Sequence, residues 1–277
     1  MPSAIREYYQ KNTAKGLSYV SMIMMLAPMI APSIGSVLLI AHSWQMIFYV
    51  LSFFSLVILL SVVKYLPEAV RNTIEPDKEI SFVTRYKIVF SNNDARFDII
   101  SSMMISLAFF AYITAIPFVY LTVFNVSEFN FSILFGITVM VLMSAHFINT
   151  RLVVRKGSRK MLKYGLRCAL IASITLLVVN CFSLPLVYTV ACILPLMGGI
   201  SMVAVNSDAL VITKFPEHSG TATAVIGTLR FGIGALAGPI LAYFYDGSAF
   251  PFAVLMFSAV SVVLLCQIKI NRHEKLI

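Results

Sequence analysis

The sequence predicts an all-α integral membrane protein with eight membrane-spanning helices, and two observations carry that reading. Of 277 residues, 59% are apolar and 12% charged, at a mean hydropathy of +0.89, whereas a soluble domain carries about a quarter charged residues. The charges also fall in short segments between long uncharged runs, each near the roughly 20 residues that a helix needs to cross a bilayer. A soluble globular enzyme is excluded. So is disorder, because a chain this rich in Leu, Ile, Val and Phe cannot stay solvated as an open coil.

From Gly16 to Val63 there is no Asp, Glu, Lys or Arg, and the polar stretch around His42 and Ser43 divides this run into spans Leu17–Leu39 and Trp44–Val63, the second carried on to Tyr65. Spans three and four are Ile99–Ser127 and Phe129–Thr150. The uncharged run Cys168–Ser207 is twice the needed length and breaks at Asn180–Pro185 into spans five and six. Ser219–Tyr245, interrupted only by Arg230, is span seven, and Gly247–Ile268 is span eight. The apolar run that follows the polar first 16 residues is too long for a cleaved signal.

Lys and Arg number 21 against 12 acids, a net charge of +9. Three precede span one, six lie between spans two and three, seven around the link from four to five, one (Lys214) between six and seven, and three at the end. The other four loops have none. Positive charge in short loops marks the cytoplasmic side, so both termini are expected in the cytoplasm. The cations form a collar facing a membrane, without the interleaved aromatic platforms of single-strand binding, and no nucleic-acid partner is expected.

Ala27-xxx-Ala31-Pro32 recurs as Gly234-xxx-Gly238-Pro239 at an offset of 207 residues, and the same offset lays the second span on the eighth. Such self-similarity marks transporters built from two related halves. First to seventh span is six helices, so each half is expected to have six. Residues 1–65 then hold the last two helices of a first half (17–39 and 44–65), 66–97 a cytoplasmic linker, and 98–277 a complete second half. The helix matching span three falls about 109 residues before Met1, so the chain reads as lacking four helices.

At these residues the chain resembles the major facilitator superfamily, and within it the bicyclomycin/chloramphenicol-resistance (Bcr/CflA) drug:proton antiporters. Ala27-Pro28-Met29-Ile30-Ala31-Pro32-Ser33-Ile34-Gly35 resembles that group's fifth-helix antiporter motif, and Ala111–Phe118 its seventh-helix AYxxxxPF stretch. Arg151–Lys160 is similar to the basic loop after helix eight, and Gly220–Ala224 with Gly227 to the start of helix eleven. The resemblance implies a major-facilitator-type bundle, eight of twelve helices present, in a cell inner membrane. It implies export of small lipophilic compounds by antiport, with the proton as coupling ion and no other cofactor or metal. The superfamily's loop motif normally has an Asp where this chain has Val154, and the family's proton-coupling residues on helix one would lie in the absent segment.

Arg230 stands inside a span, where a charge costs roughly 2.5 to 3.5 kcal/mol, so a water-filled cavity, a carboxylate or an anionic substrate group is expected to offset it. Asp98 and Asp208 are placed at cytoplasmic helix ends, Glu128 and Asp246 in outer loops, and no acid at mid-membrane. Asp208 is a candidate gate of the inner mouth. Tyr112, Phe118, Tyr120, Phe131 and Phe135 offer aromatic surface for flat lipophilic substrates, and Arg230 is the charged candidate for substrate binding. Small residues at Ala31, Gly35, Gly234 and Gly238 let helices approach closely, and Pro28, Pro32, Pro117, Pro195 and Pro239 bend theirs. His146 reads as a hydrogen-bonded helix contact.

No P-loop, HExxH or GxSxG pattern is present, so enzymatic chemistry is not expected. The reading is a multidrug exporter whose isolated 277 residues are inactive in transport, completed by the missing N-terminal helices. Its rival is a non-transporting eight-helix scaffold or partner subunit, or a decayed transporter gene.

Overall fold

A computed structural model describes residues 9, 13–20, 23, 38, 44–65, 87, 89, 91–215 and 219–274. Every element among them is helical, and seven helices are long and apolar enough to cross a membrane. They correspond to predicted spans two to eight. Most of the first span lies outside the described residues, including Pro28, Ala31, Pro32 and Gly35, as does the linker from 66 to 86. The chain divides into two compact units, residues 23–81 and residues 1–22 with 82–277.

In the first unit α1 (Gln45–Tyr65) carries no charge before Lys64. It is exposed at every residue from 48 to 64. Helix capacity without an amphipathic stripe belongs to a segment whose surroundings are apolar on all faces.

The second unit is the bundle α2 (Asn93–Phe118), α3 (Glu128–Lys156), α4 (Ser158–Cys181), α5 (Leu186–Lys214), α6 (Ser219–Ala235), α7 (Ala237–Tyr243) and α8 (Phe250–Glu274). Helical residues 13–20 belong to it as well. α2 packs on α5, α6, α7 and α8, while α5 also meets α3 and α4, so these two helices form the centre. Near the cation-rich end the core gathers Ala14, Leu17, Ile99, Val153, Met161 and Val205.

Helix ends follow local chemistry more than the limits of the uncharged runs. Asn92 Oδ1 accepts from the Ala95 N–H at 3.0 Å and opens α2. Ser127 Oγ accepts from the Asn130 N–H at 3.4 Å and opens α3, as side-chain oxygens at N-caps do. α3 runs six residues past predicted Thr150, and only Gly157, at φ +76, separates it from α4. A backbone of that sign is open to glycine at no steric cost.

Two prolines reshape their spans. Pro117 has no N–H for the Ile113 carbonyl, and α2 passes one residue later into a π-helical turn, Val119–Val123, in which the Phe124 N–H reaches the Val119 carbonyl at 3.1 Å. The third span therefore ends short of predicted Ser127. Span seven, predicted continuous, is interrupted at Leu236 between α6 and α7. Pro239 lies four residues after Ala235, cannot bond its carbonyl and crowds it, so α6 stops there.

At the crossing of α4 on α5 the two backbones approach closely. A methyl built on Gly199 would stand 2.7 Å from the Gly165 carbonyl oxygen and 2.8 Å from the Ala169 nitrogen, both backbone atoms. Gly199→Val is expected to force the helices apart and destabilise the bundle by about 1–3 kcal/mol. Gly136→Ala, where nothing lies within 4 Å of the added methyl, is expected to be neutral or slightly stabilising, since alanine is the better helix former. Thermal unfolding in detergent micelles compares the two, and equal midpoints would remove the close-crossing argument.

Candidate functional site

Arg230 lies on the twelfth residue of α6, and its Nη2 donates to Asp208 Oδ2 of α5. Ser102 Oγ of α2 donates to the other carboxylate oxygen, Asp208 Oδ1, at 2.6 Å. The charge inside span seven is thus offset by a carboxylate, one of the three partners the sequence allowed. The expectation that Asp208 stands at the end of its helix is overturned. α5 continues six residues beyond it to Lys214, about 9 Å at 1.5 Å per residue. An uncharged-run criterion stops at Ser207, whereas a partnered carboxylate does not stop a helix.

The pair is not sealed. Arg230 keeps 33% of its side-chain surface and Asp208 15%. That matters because a carboxylate can exchange protons only where water reaches it.

Beside Asp208 a polar seam joins α5 to α3. Asn206 Nδ2 donates to Asn149 Oδ1 at 2.7 Å, and Asn149 Nδ2 to Ser18 Oγ at 2.9 Å. One turn on, Ser201 Oγ lies 3.2 Å from His146 Nε2, a hydrogen-bonded helix contact. Asn149, Asn206 and Ser207 are fully buried. Amides facing one another across two helices could have signalled this seam, because such side chains bond between helices where lipid offers no partner.

Nearer the cation-rich end stands a second charged cluster. Asp98 is fully buried and takes a two-pronged contact from Arg159, Nη1 to Oδ1 at 2.6 Å and Nη2 to Oδ2 at 3.0 Å. Lys214 Nζ donates to Oδ2 at 3.0 Å. Gln267 of α8 accepts from Arg159 at 3.2 Å and donates to Ser101 at 3.2 Å. One carboxylate ties α2, α4, α5 and α8. Val154, which takes the place of the loop-motif Asp, is exposed. Sequence reasoning put these residues at one membrane end without joining them.

The predicted aromatic set separates. Tyr112 stacks on Phe135 with ring centroids 6.4 Å apart, Phe135 meets Phe131 at 5.9 Å, and Phe131 meets Tyr120 at 6.3 Å. Both tyrosines are buried. Phe118 stands apart, edge-on to Tyr245 at 4.8 Å, because six residues after Tyr112 on α2 it lies on another face of the helix. Gly234 packs against the Phe110 ring, a methyl built on Gly238 would meet Thr114 Cγ2 at 3.8 Å, and Gly227 has open space. Glu128 begins α3. In the loop before α8 the Ser248 hydroxyl and N–H both donate to Asp246, which holds its carboxyl below the usual carboxylate range.

The described bundle thus consists of long apolar helices with prolines at two breaks and an ion pair between α5 and α6. The sequence model of the Major Facilitator Superfamily matches residues 1–239. The chain belongs to the Major Facilitator Superfamily. Its members are transporters, not enzymes, and this one is a multi-pass membrane protein of that type. It is 25% identical over 266 residues to the bicyclomycin resistance protein homolog of Haemophilus influenzae, covering 94% of this chain and 66% of that protein. It is 29% identical over 254 residues to the uncharacterized MFS-type transporter YdgK of Bacillus subtilis, covering 89% of this chain and 62% of that one. The chain thus spans less than two thirds of the length of these relatives. The solved structure of the superfamily transporter FucP in the outward conformation superposes with a TM-score of 0.73 at 15% identity, over 94% of this chain and 69% of that one. That likeness concerns the fold.

Proposed function

We propose that the chain belongs to a proton-driven exporter of small lipophilic compounds in a bacterial inner membrane, with both termini cytoplasmic. Residues 98–277 form its second six-helix half, 66–97 the link, and residues 1–65 the last two helices of the first half, whose other four complete the cavity. The observation that carries this reading is the Asp208–Arg230 pair. Protonation of Asp208 and its pairing with Arg230 exclude one another, so a proton unlocks the α5–α6 seam and its departure relocks it. Substrate favours the paired state, and the proton the unpaired one, which is how two ligands alternate in one cavity. Each charge moved inward across 100 mV contributes about 2.3 kcal/mol.

Phe131 and Phe135, half-buried, supply stacking surface for the substrate, with the buried Tyr112 and Tyr120 packed behind them, an arrangement suited to flat aromatic compounds. The amino-acid identity shared with a bicyclomycin resistance protein homolog supports the same class. Ethidium and chloramphenicol, one cationic and one neutral, are the probes. Binding measured by fluorescence and by equilibrium dialysis is expected to weaken on acidification by up to about tenfold per pH unit, the limit for one competing proton. Binding of both compounds that does not change with pH would refute antiport through this site.

A further inference from the structure

Beside the Asp98 cluster, at the cation-rich end of the bundle, a cavity of about 170 Å³ opens between α4 and α8. Lys163, Leu166 and Arg167 of α4 line one wall, and Leu264, Gln267 and Ile268 of α8 the other. We propose that it binds the headgroup of an anionic phospholipid of the cytoplasmic leaflet.

The residue order supports this occupant. Lys163 and Arg167 are four residues apart and so share one helix face, with Leu166 between them and Leu170 next along α4. The lining is mostly apolar with two cations in it, which suits an acyl chain that carries a phosphodiester. Arg167 offers a planar fork matched to two phosphate oxygens, and Lys163 a point charge beside it. The cavity volume corresponds to several waters at roughly 30 Å³ each, room for a headgroup phosphate and not for a second helix. Basic pockets between transmembrane helices at this leaflet hold anionic headgroups in this manner.

The neighbouring charges leave the lining positive. Asp98, the nearest buried acid on α2, is held by Arg159 and Lys214. Gln267 forms the wall between the groove and that cluster, with its amide turned to Ser101. Lys269 sits over the Phe97 ring at 5.6 Å, away from the groove. Lys160, one turn before Lys163, is exposed and adds to the field.

The test is native mass spectrometry of the 277-residue chain taken from mixed phosphatidylglycerol and phosphatidylcholine micelles. Wild type is expected to retain phosphatidylglycerol selectively, and the double variant Lys163→Gln/Arg167→Gln to lose affinity for it roughly thirtyfold, since each such cation contributes about 1 kcal/mol. Arg151→Gln/Lys156→Gln removes the same charge from the end of α3 and is expected to leave retention unchanged. The exchange Lys163→Arg/Arg167→Lys is expected to preserve it. Equal retention of phosphatidylcholine, equal loss in the α3 variant, or displacement of the lipid by millimolar inorganic phosphate would overturn the proposal. Photoactivatable phosphatidylglycerol on the unaltered chain gives an independent reading: labelling is expected on the α4 and α8 wall residues, and labelling confined to other helices would overturn the proposal without recourse to any variant.

Discussion

Asp98→Asn is expected to destabilise the bundle by about 3 kcal/mol, toward the lower end of what breaking a buried ion pair costs. The side chain is nearly isosteric, so packing is conserved and the change is electrostatic. Arg159 and Lys214 are left facing one another without the anion that both contact. Their side chains keep 20% and 26% of their surface, and by turning outward they recover part of the loss. Arg159→Gln is expected to cost less, because Lys214 and Gln267 still serve the carboxylate. Thermal unfolding in detergent micelles measures both. An Asp98→Asn midpoint equivalent to less than about 0.5 kcal/mol of change, the size of an ordinary surface substitution, would show that the cluster does not hold the four helices together.

Asp208→Asn is the second large effect, and it separates stability from coupling. Arg230 becomes an unpaired charge within a span, at roughly 2.5 to 3.5 kcal/mol on insertion scales, tempered by its partial exposure. The double variant Asp208→Asn/Arg230→Gln removes both charges and is expected to regain most of that stability, as neutral replacements of ion pairs do. Coupling is not expected to return. Ethidium binding is predicted to be independent of pH in the single and the double variant alike, because the group that exchanges the proton is gone from both. Binding that still weakens with acid in either variant would move the coupling to another residue. Arg230→Gln alone leaves a carboxylate with Ser102 as its partner, and there pH dependence is expected to persist with altered affinity.

How far the sequence could be read is set by what each signal measures. Uncharged runs report where a helix meets lipid and not where it ends. They locate the helix centres and the break at Asn180–Pro185, which the structure places between Cys181 and Leu186. They fail at Lys156, Lys214 and Glu274, where charged turns continue the helices. The same limit hid the site, because Asp208 was assigned by the end of an uncharged run when its partner lay 22 residues on in another helix.

Loop charge placed Asp98, Arg159 and Lys214 at one membrane end, since all three flank the cation-rich segments. Which of them touch depends on helix rotation, which one sequence does not contain. The proline signal was sound in kind but imprecise in form. Pro117 yields a π-turn and Pro239 a break three residues upstream, and both outcomes depend on how neighbours accommodate the freed carbonyl. For the close crossing of α4 on α5 a signal was present and unread. Gly165-xxx-Ala169 is a small-xxx-small pair on α4, and it is there that Gly199 of α5 is seated.

The central claim is that one carboxylate, Asp208, alternates between a proton and Arg230 as substrate leaves and enters. Infrared difference spectroscopy of the detergent-solubilised full-length protein, with the preceding helices present, on adding ethidium at acidic pH reads this directly. The account predicts loss of a protonated-carboxyl C=O band, with a matching gain in carboxylate absorption, and the disappearance of both signals in Asp208→Asn. A difference spectrum unchanged by Asp208→Asn would contradict it.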